Sequence, residues 1–341
     1  MTEQVYNKVQ LGQQSVVGTA VAATTVFPVD QGFLGFELDR ASESPDEDFG
    51  SNSREMAGRS STGVRWATAS LPFTARFQDF MHVQQMHIDT ATTAGAGPYT
   101  HTTTFDESGS VLSTALKPYT LQYGVAGSTQ DEHRATGVLA TGLTLGFDAL
   151  SAPGNSMWHG TLDLVALNRA QSALTGSLSA PATLETMEGH LTTITAGSTA
   201  TAFGSLTALT ASLKQFEFTS AINAVGRAYG GSTDIATATG MSGKGNVDFN
   251  CLIAISSANL TEFEATYEVS GSVPTERRMR VSIAGSGTNT ATCDFRARYT
   301  AVDVGEHDGE RLYAVKGVWI YDSTLAGRGT WITTNSVATI P

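Results

Sequence analysis

Along most of the chain, apolar positions alternate with polar ones in short runs, the period of a half-buried β-strand rather than of a helix. Such runs are Lys117–Gly124 (KPYTLQYG), Gly142–Phe147, Gly160–Leu167 and Leu213–Ile222, each bounded by Gly, Pro, Asn or Ser. Others are Gly245–Ile255, Phe263–Val269, Arg278–Ile283, Thr292–Val304 and Glu310–Tyr321. One segment departs from this period. In PFTARFQDFMHVQQMH, residues Phe73, Phe77, Phe80, Met81 and Gln84 fall at i, i+4, i+7, i+8 and i+11, which predicts one amphipathic helix over about 74–87. The expected fold is mainly β, an antiparallel sandwich or barrel-like subunit with a single flanking helix.

Three stretches lack the alternation. GTAVAATTVFPVD (18–30) is small, Thr-rich and β-branched, with no side chain suited to catalysis. It reads as an extended strap with no place in its own core. Residues 41–63 are polar and glycine-rich, with Glu43, Asp46, Glu47 and Asp48 in the first half and Arg54, Arg59 and Arg65 in or just beyond the second. Phe49 and Met56 are too little apolar surface to fold alone, so a projecting arm that docks on a neighbour is expected. Residues 168–212 read as an Ala/Thr/Ser-rich connector. The chain thus divides into an N-terminal segment (1–40), an arm (41–63) and a β domain (64–341). A weak internal echo relates LTLGFDAL with GTLDLVAL to FEFTSAINAV with GNVDFNCLIAI.

The 20 Lys and Arg residues stand against 32 Asp and Glu, a net charge of -12 that argues against a phosphate-binding surface. The dense basic run ERRMR, with Arg277, Arg278 and Arg280, is expected to be an ion-pairing interface strip facing a subunit neighbour or the outside. Cys251 and Cys293 read as buried free thiols. The chain predicts neither a secretory leader nor a membrane span. Four Gly-x-Gly steps, at Gly95, Gly243, Gly285 and Gly327, lack the third glycine of a dinucleotide fingerprint and read as turns. His82 and His87, five residues apart, suit a partly exposed helix end better than a metal. DEHR (131–134) and GEHDGE (305–310) read as solvated hairpin tips. No catalytic, cofactor-binding or metal-binding residue is assigned.

GTAVAATTVFPVD with the polar loop after it, PYTHTTTF (98–105), LKPYTLQYG, and TGLTLGFDALSAPGNSMWHGTLDLVAL together resemble the major tail tube protein of long-tailed, siphovirus-type bacteriophages. FEFTSAINAVGRAYGG leading into GKGNVDFNCLIA, and the closing ERLYAVKGVWIYDSTLAGRGTWITTN, resemble later strands of that family. The resemblance implies a non-enzymatic structural subunit, six copies of which form a ring with a continuous inner β-barrel. Stacked rings make the conduit for DNA, which passes without specific binding. It further implies tail tip or baseplate, tape measure and tail terminator proteins as partners, a place in the virion after assembly in the host cytoplasm, and inter-subunit contacts by the N-terminal segment and arm. A capsid decoration protein, a fibre or adhesive component, and a β-sandwich hydrolase remain alternatives.

Overall fold

Strands dominate the computed structural model, and every pairing between them is antiparallel. The structure describes residues 8–30, 33–43, 61–106, 117–125, 131–150, 156–178, 184–209, 213–221, 224–227, 238–241, 246–256, 259–260, 262–263, 276–307 and 309–338. The first half contains β1 (Lys8–Gln13), β2 (Thr25–Phe27), β3 (Glu37–Glu43) and β4 (Ser61–Thr74), then helix α1 (Phe80–His87). After it come β5 (Thr92–Ala94), β6 (Tyr99–Asp106), β7 (Tyr119–Gly124), β8 (His133–Asp148), β9 (His159–Ala166) and β10 (Asn168–Gln171). The second half begins with β11 (Thr192–Ser198), β12 (Thr207–Ala208), β13 (Leu213–Ala221) and the hairpin of β14 (Ala224–Arg227) and β15 (Ala238–Met241). It continues with β16 (Val247–Ala254), β17 (Glu276–Ala284), β18 (Thr290–His307), β19 (Glu310–Ile320) and β20 (Gly327–Asn335).

The second half repeats the first. β1 lies between β2 and β7, and β11 lies between β12 and β17. In each half one long strand, β8 or β18, pairs through its first part with β7 and β10, or with β17 and β20. Its second part pairs with β9, or with β19. β3–β4–β9 likewise matches β13–β16–β19. Even an irregularity recurs: the register with the following strand shifts after Ala140 in β8 and after Tyr299 in β18, leaving Thr141 and Thr300 as the extra residues. Helical residues follow β4 as α1, and residues 259, 260, 262 and 263 are helical after β16.

The halves join where the second part of β8 pairs with β13, in register from Asp148↔Gln215 to Gly142↔Ala221. This produces a run of eight neighbouring strands, β3-β4-β9-β8-β13-β16-β19-β18. One hydrophobic core runs behind it through both halves. Trp158 of the first half meets Phe216 of the second at 5.9 Å and donates its indole N–H to Thr192 Oγ1 at 2.9 Å, while Phe80 packs on Trp331 at 4.9 Å.

Several expectations change. The echo noticed between residues 143–167 and 216–255 marks neighbours in the sheet, whereas topology makes β13 and β16 the counterparts of β3 and β4. The connector at 168–212 holds β10, β11 and β12, and its Met187, Ile194, Ala196 and Leu209 are buried in the core; residues 179–183 and 210–212 lie outside the described residues. The strap at 18–30 has a place in the core after all: Ala23 and Phe27 are buried, with Phe27 against Phe73 at 5.9 Å, and the preceding β1 buries Val9 and Leu11. The predicted strand 263–269 starts instead with a helical Phe263, and 264–269 lie outside the described residues. Gly327–Gly329 is strand, not turn, and Gly329 is needed there because a Cβ would run into the Trp319 ring. Gly95 and Gly287 do occupy turns at positive φ, 103° and 62°; Gly243 lies outside the described residues. Both cysteines are free and buried.

Candidate functional surface

The eight-strand run presents one face to the core and the other to solvent, because its side chains alternate. Phe216, Phe218, Leu143, Leu145, Leu162 and Leu164 point inward. Cross-strand registers then align the outward positions in rows: His159–Gly146–Glu217–Asn250–Lys316, and Thr161–Thr144–Thr219–Asp248–Val318. A third row runs Ser70–Asp163–Gly142–Ala221. Along the paired stretches of the four central strands, β9, β8, β13 and β16, the outward acidic residues are Asp148, Asp163, Glu217 and Asp248; Lys214, at the start of β13, is ion-paired with Glu310 at 3.0 Å, and Arg134 lies in the first part of β8, where it pairs with β10. Lys316 enters only on β19.

Three open depressions of about 240, 280 and 470 Å³ mark this face, over β9–β8–β13, over β13–β16–β19 and beside β4. They are grooves between rows of short side chains. Two hydroxyl–histidine–carboxylate contacts lie at exposed histidines. Thr74 Oγ1 lies 3.3 Å and Asp30 Oδ2 3.4 Å from His159, and Ser156 Oγ 3.5 Å and Glu188 Oε2 3.1 Å from His190. In both, hydroxyl and carboxylate meet the same nitrogen, Nδ1, whereas a catalytic relay needs one on each ring nitrogen. No group of three or more His, Cys, Asp or Glu able to hold a metal occurs among the described residues.

The arginine strip is already paired within the chain. Arg277 holds Glu262, Arg280 grips both oxygens of Asp294 at 2.5 and 2.7 Å, and Arg278 grips both oxygens of Asp322 at 2.8 and 3.0 Å. Arg278 also donates to Thr201 O and Thr324 Oγ1 and lies over the Phe203 ring. On β18, Arg296 and Arg298 share Glu276. The carboxylate partners were not visible in the run ERRMR because they arrive from other strands and turns.

The arm is described only at its two ends. β3 and β4 extend it at both ends, so Glu43 and Ser61 are register partners and Arg40 faces Arg65. Asp46, Glu47, Asp48, Phe49, Arg54, Met56 and Arg59 lie outside the described residues.

Helix α1 begins at Phe80 rather than 74, since Thr74 still belongs to β4 and pairs with His159. All its residues are buried, not only the apolar stripe. His82 and His87, expected at an exposed end, are each 2% exposed. Hydrogen bonds make this tolerable. His82 Nδ1 lies 3.2 Å from Tyr119 Oη, which donates to Gln85 Oε1; His87 reaches Ala140 O and Ser220 Oγ. The bond to Ser220 ties the helix to the second half. In DEHR, His133 is half-buried in β8 against Tyr123 and Arg169, not at a solvated tip. Gly305, Glu306, His307 and Glu310 do lie at the end of the β18–β19 hairpin, with His307 the register partner of Glu310; residue 308 lies outside the described residues.

Burial pushes His82 and His87 down from 6.5 to about 4, helped at His82 by charge on His101 and opposed at His87 by the Ala140 carbonyl. Burial lifts Asp79, at the helix start, from 3.8 to about 6 against the pull of Arg76. Each histidine therefore binds its proton more readily when unfolded, and its stability contribution fades as pH falls from about 6.5 to 4. Asp79 acts oppositely, its contribution fading as pH rises from 3.8 to about 6. Two histidines against one carboxyl leave a net loss of about 1.4 kcal/mol per pH unit on acidification across that window. Urea unfolding between pH 4.5 and 7 reads this slope. His82→Gln with His87→Gln is expected to reverse it, because Asp79 alone then makes stability rise by about 1.4 kcal/mol per pH unit on acidification, and an unchanged slope contradicts the assignment.

No protein-family model matches the chain, and no curated protein sequence matches it. No helix among the described residues is long and apolar enough to cross a membrane.

Proposed function

We propose that this chain is a structural subunit of a phage-type tail tube, assembling into stacked rings whose inner wall is the outward face of the eight-strand run. The observation that carries the reading is the character of that face: across β9, β8, β13 and β16 the aligned rows hold Thr, Gly, Asn, His and carboxylates without Lys or Arg, and Lys214 at the start of β13 is paired with Glu310. A conduit for nucleic acid must not hold phosphates. Basic side chains would bind them through counterion release, whereas short hydroxyl and carboxylate side chains let them slide past. The reading is of a non-enzymatic virion component, in rings of six equivalent units, ending on tail tip or baseplate and terminator proteins, with a tape measure protein inside during assembly. Residues 1–40 and the arm 41–63 reach neighbouring subunits. DNA travels through the lumen without sequence recognition.

Negative-stain microscopy of the purified chain at high concentration tests this directly. Hollow tubes of uniform diameter are expected. Particles that stay strictly monomeric at all concentrations would refute the proposal.

A further inference from the structure

The two ends of the eight-strand run are open. Among the described residues β3 has a partner on one side only, β4, and the second part of β18 has a partner on one side only, β19. Their counterparts in the repeat are not open: the second part of β8 and β13 pair with each other. The junction inside the chain therefore shows what each free edge is built to meet.

We infer that the second part of β18 pairs antiparallel with β3 of a second copy of this chain, reproducing the β8–β13 junction between molecules. The register follows from the repeat. Thr144 pairs with Thr161 in β9 as Asp303 pairs with Ala314 in β19, and Thr219 faces Asp248 in β16 as Glu37 faces Thr68 in β4. The internal pair Thr144↔Thr219 thus becomes Asp303↔Glu37 between copies.

Exposure supports the occupant. Val304, Leu34 and Leu38 are 52%, 49% and 50% exposed, large values for apolar side chains on a sheet. Their counterparts by the same register are Leu145, Phe216 and Ser220, at 0%, 1% and 4%. The side chains covered at the internal junction are thus bare at the free edges, and an edge of that kind is satisfied by another strand. A second copy offers the matching edge at both ends, so the contact is head-to-tail, the kind that makes a ring when the rotation between copies closes.

Each chain therefore supplies two ring units. The count that follows rests on the tube reading: six units per ring come from three chains, not the six expected from the sequence. Edge pairing itself does not depend on that reading.

The test is a double variant, Glu37→Cys with Asp303→Cys, in the full chain, treated with a short bis-maleimide; the native thiols Cys251 and Cys293 are 0% and 2% exposed and stay unmodified. Both new sites are solvent-exposed, and far-UV circular dichroism verifies folding. The expected result is a covalent ladder that ends at three chains, with no ladder from either single variant. Multimers without cross-links, or a chain that never associates, overturn the edge pairing. A ladder ending at six overturns the two-unit count. A ladder in a sample that forms no tubes supports the edge pairing while removing the tube reading; tubes without the ladder do the reverse.

Discussion

Arg278→Ala is expected to cost about 3–5 kcal/mol of folding stability, the range seen when one partner of a buried ion pair is removed. The Arg278 and Asp322 side chains are 10% and 1% exposed, and both guanidinium–carboxylate bonds are direct. Burial alone would raise the Asp322 carboxyl, yet hydrogen bonds from Arg278 and from the Thr324 N–H hold it below the usual range. Without Arg278 that carboxylate stays buried with its strongest donor gone, and the turn carrying Thr201 and Phe203 loses its anchor. Arg278→Leu with Asp322→Leu is expected to recover most of the loss, because no charge is then stranded. Arg298→Ala, whose side chain is 43% exposed, should cost less than about 1 kcal/mol. Equilibrium urea unfolding separates the three. A loss below about 1 kcal/mol for Arg278→Ala would mean that solvent screens the buried pair as it does a surface one.

Deleting Ser44–Ser60 and closing the gap with a short Gly/Ser linker is expected to leave a folded subunit that no longer forms tubes. Glu43 and Ser61 are register partners, so a tight turn can join β3 to β4 without disturbing the pairing to β9. The deleted residues include the charges Asp46, Glu47, Asp48, Arg54 and Arg59 and the apolar Phe49 and Met56. Contacts of this size are weak singly and strong when a ring presents several at once. Sedimentation and microscopy should therefore show rings that close but do not stack. Tubes of normal length from the deletion variant would make the arm dispensable.

How much of this was legible in the chain depends on which force acts locally. β9, β13, β16 and β19 were readable because one face of each is buried, which writes a period of two into the sequence. The helix was found, but its polar residues were misjudged: periodicity reports apolar positions and cannot see that Tyr119, Ser220 and Ala140 wait to hydrogen-bond buried histidines. The arginine strip was seen without Glu262, Asp294 and Asp322, whose approach is set by tertiary structure. The repeat was nearly invisible. Equivalent core positions hold Leu71 and Cys251, Phe73 and Ile253, or Ala166 and Trp319, which share little beyond an aversion to water. Packing asks only for apolar volume at a site, so identity drifts while register persists. The net charge of -12 argued against a phosphate-binding surface, but the strands that carry the carboxylate rows could not be assigned before the pairings were known.

The duplicated architecture also frees the halves from sameness. The excursion between β3 and β4 spans residues 44–60, while its counterpart between β13 and β16 spans 222–246 and carries the β14–β15 hairpin. In the ring proposed above, identical single-unit subunits would have to put the same insertion at every station around the circle. A tandem chain would set two kinds in strict alternation, at a one-to-one ratio that no change in expression level can disturb. Half of the proposed seams would be closed by the covalent chain before any molecules meet, so a closing circle would need fewer independent encounters and have fewer ways to miscount.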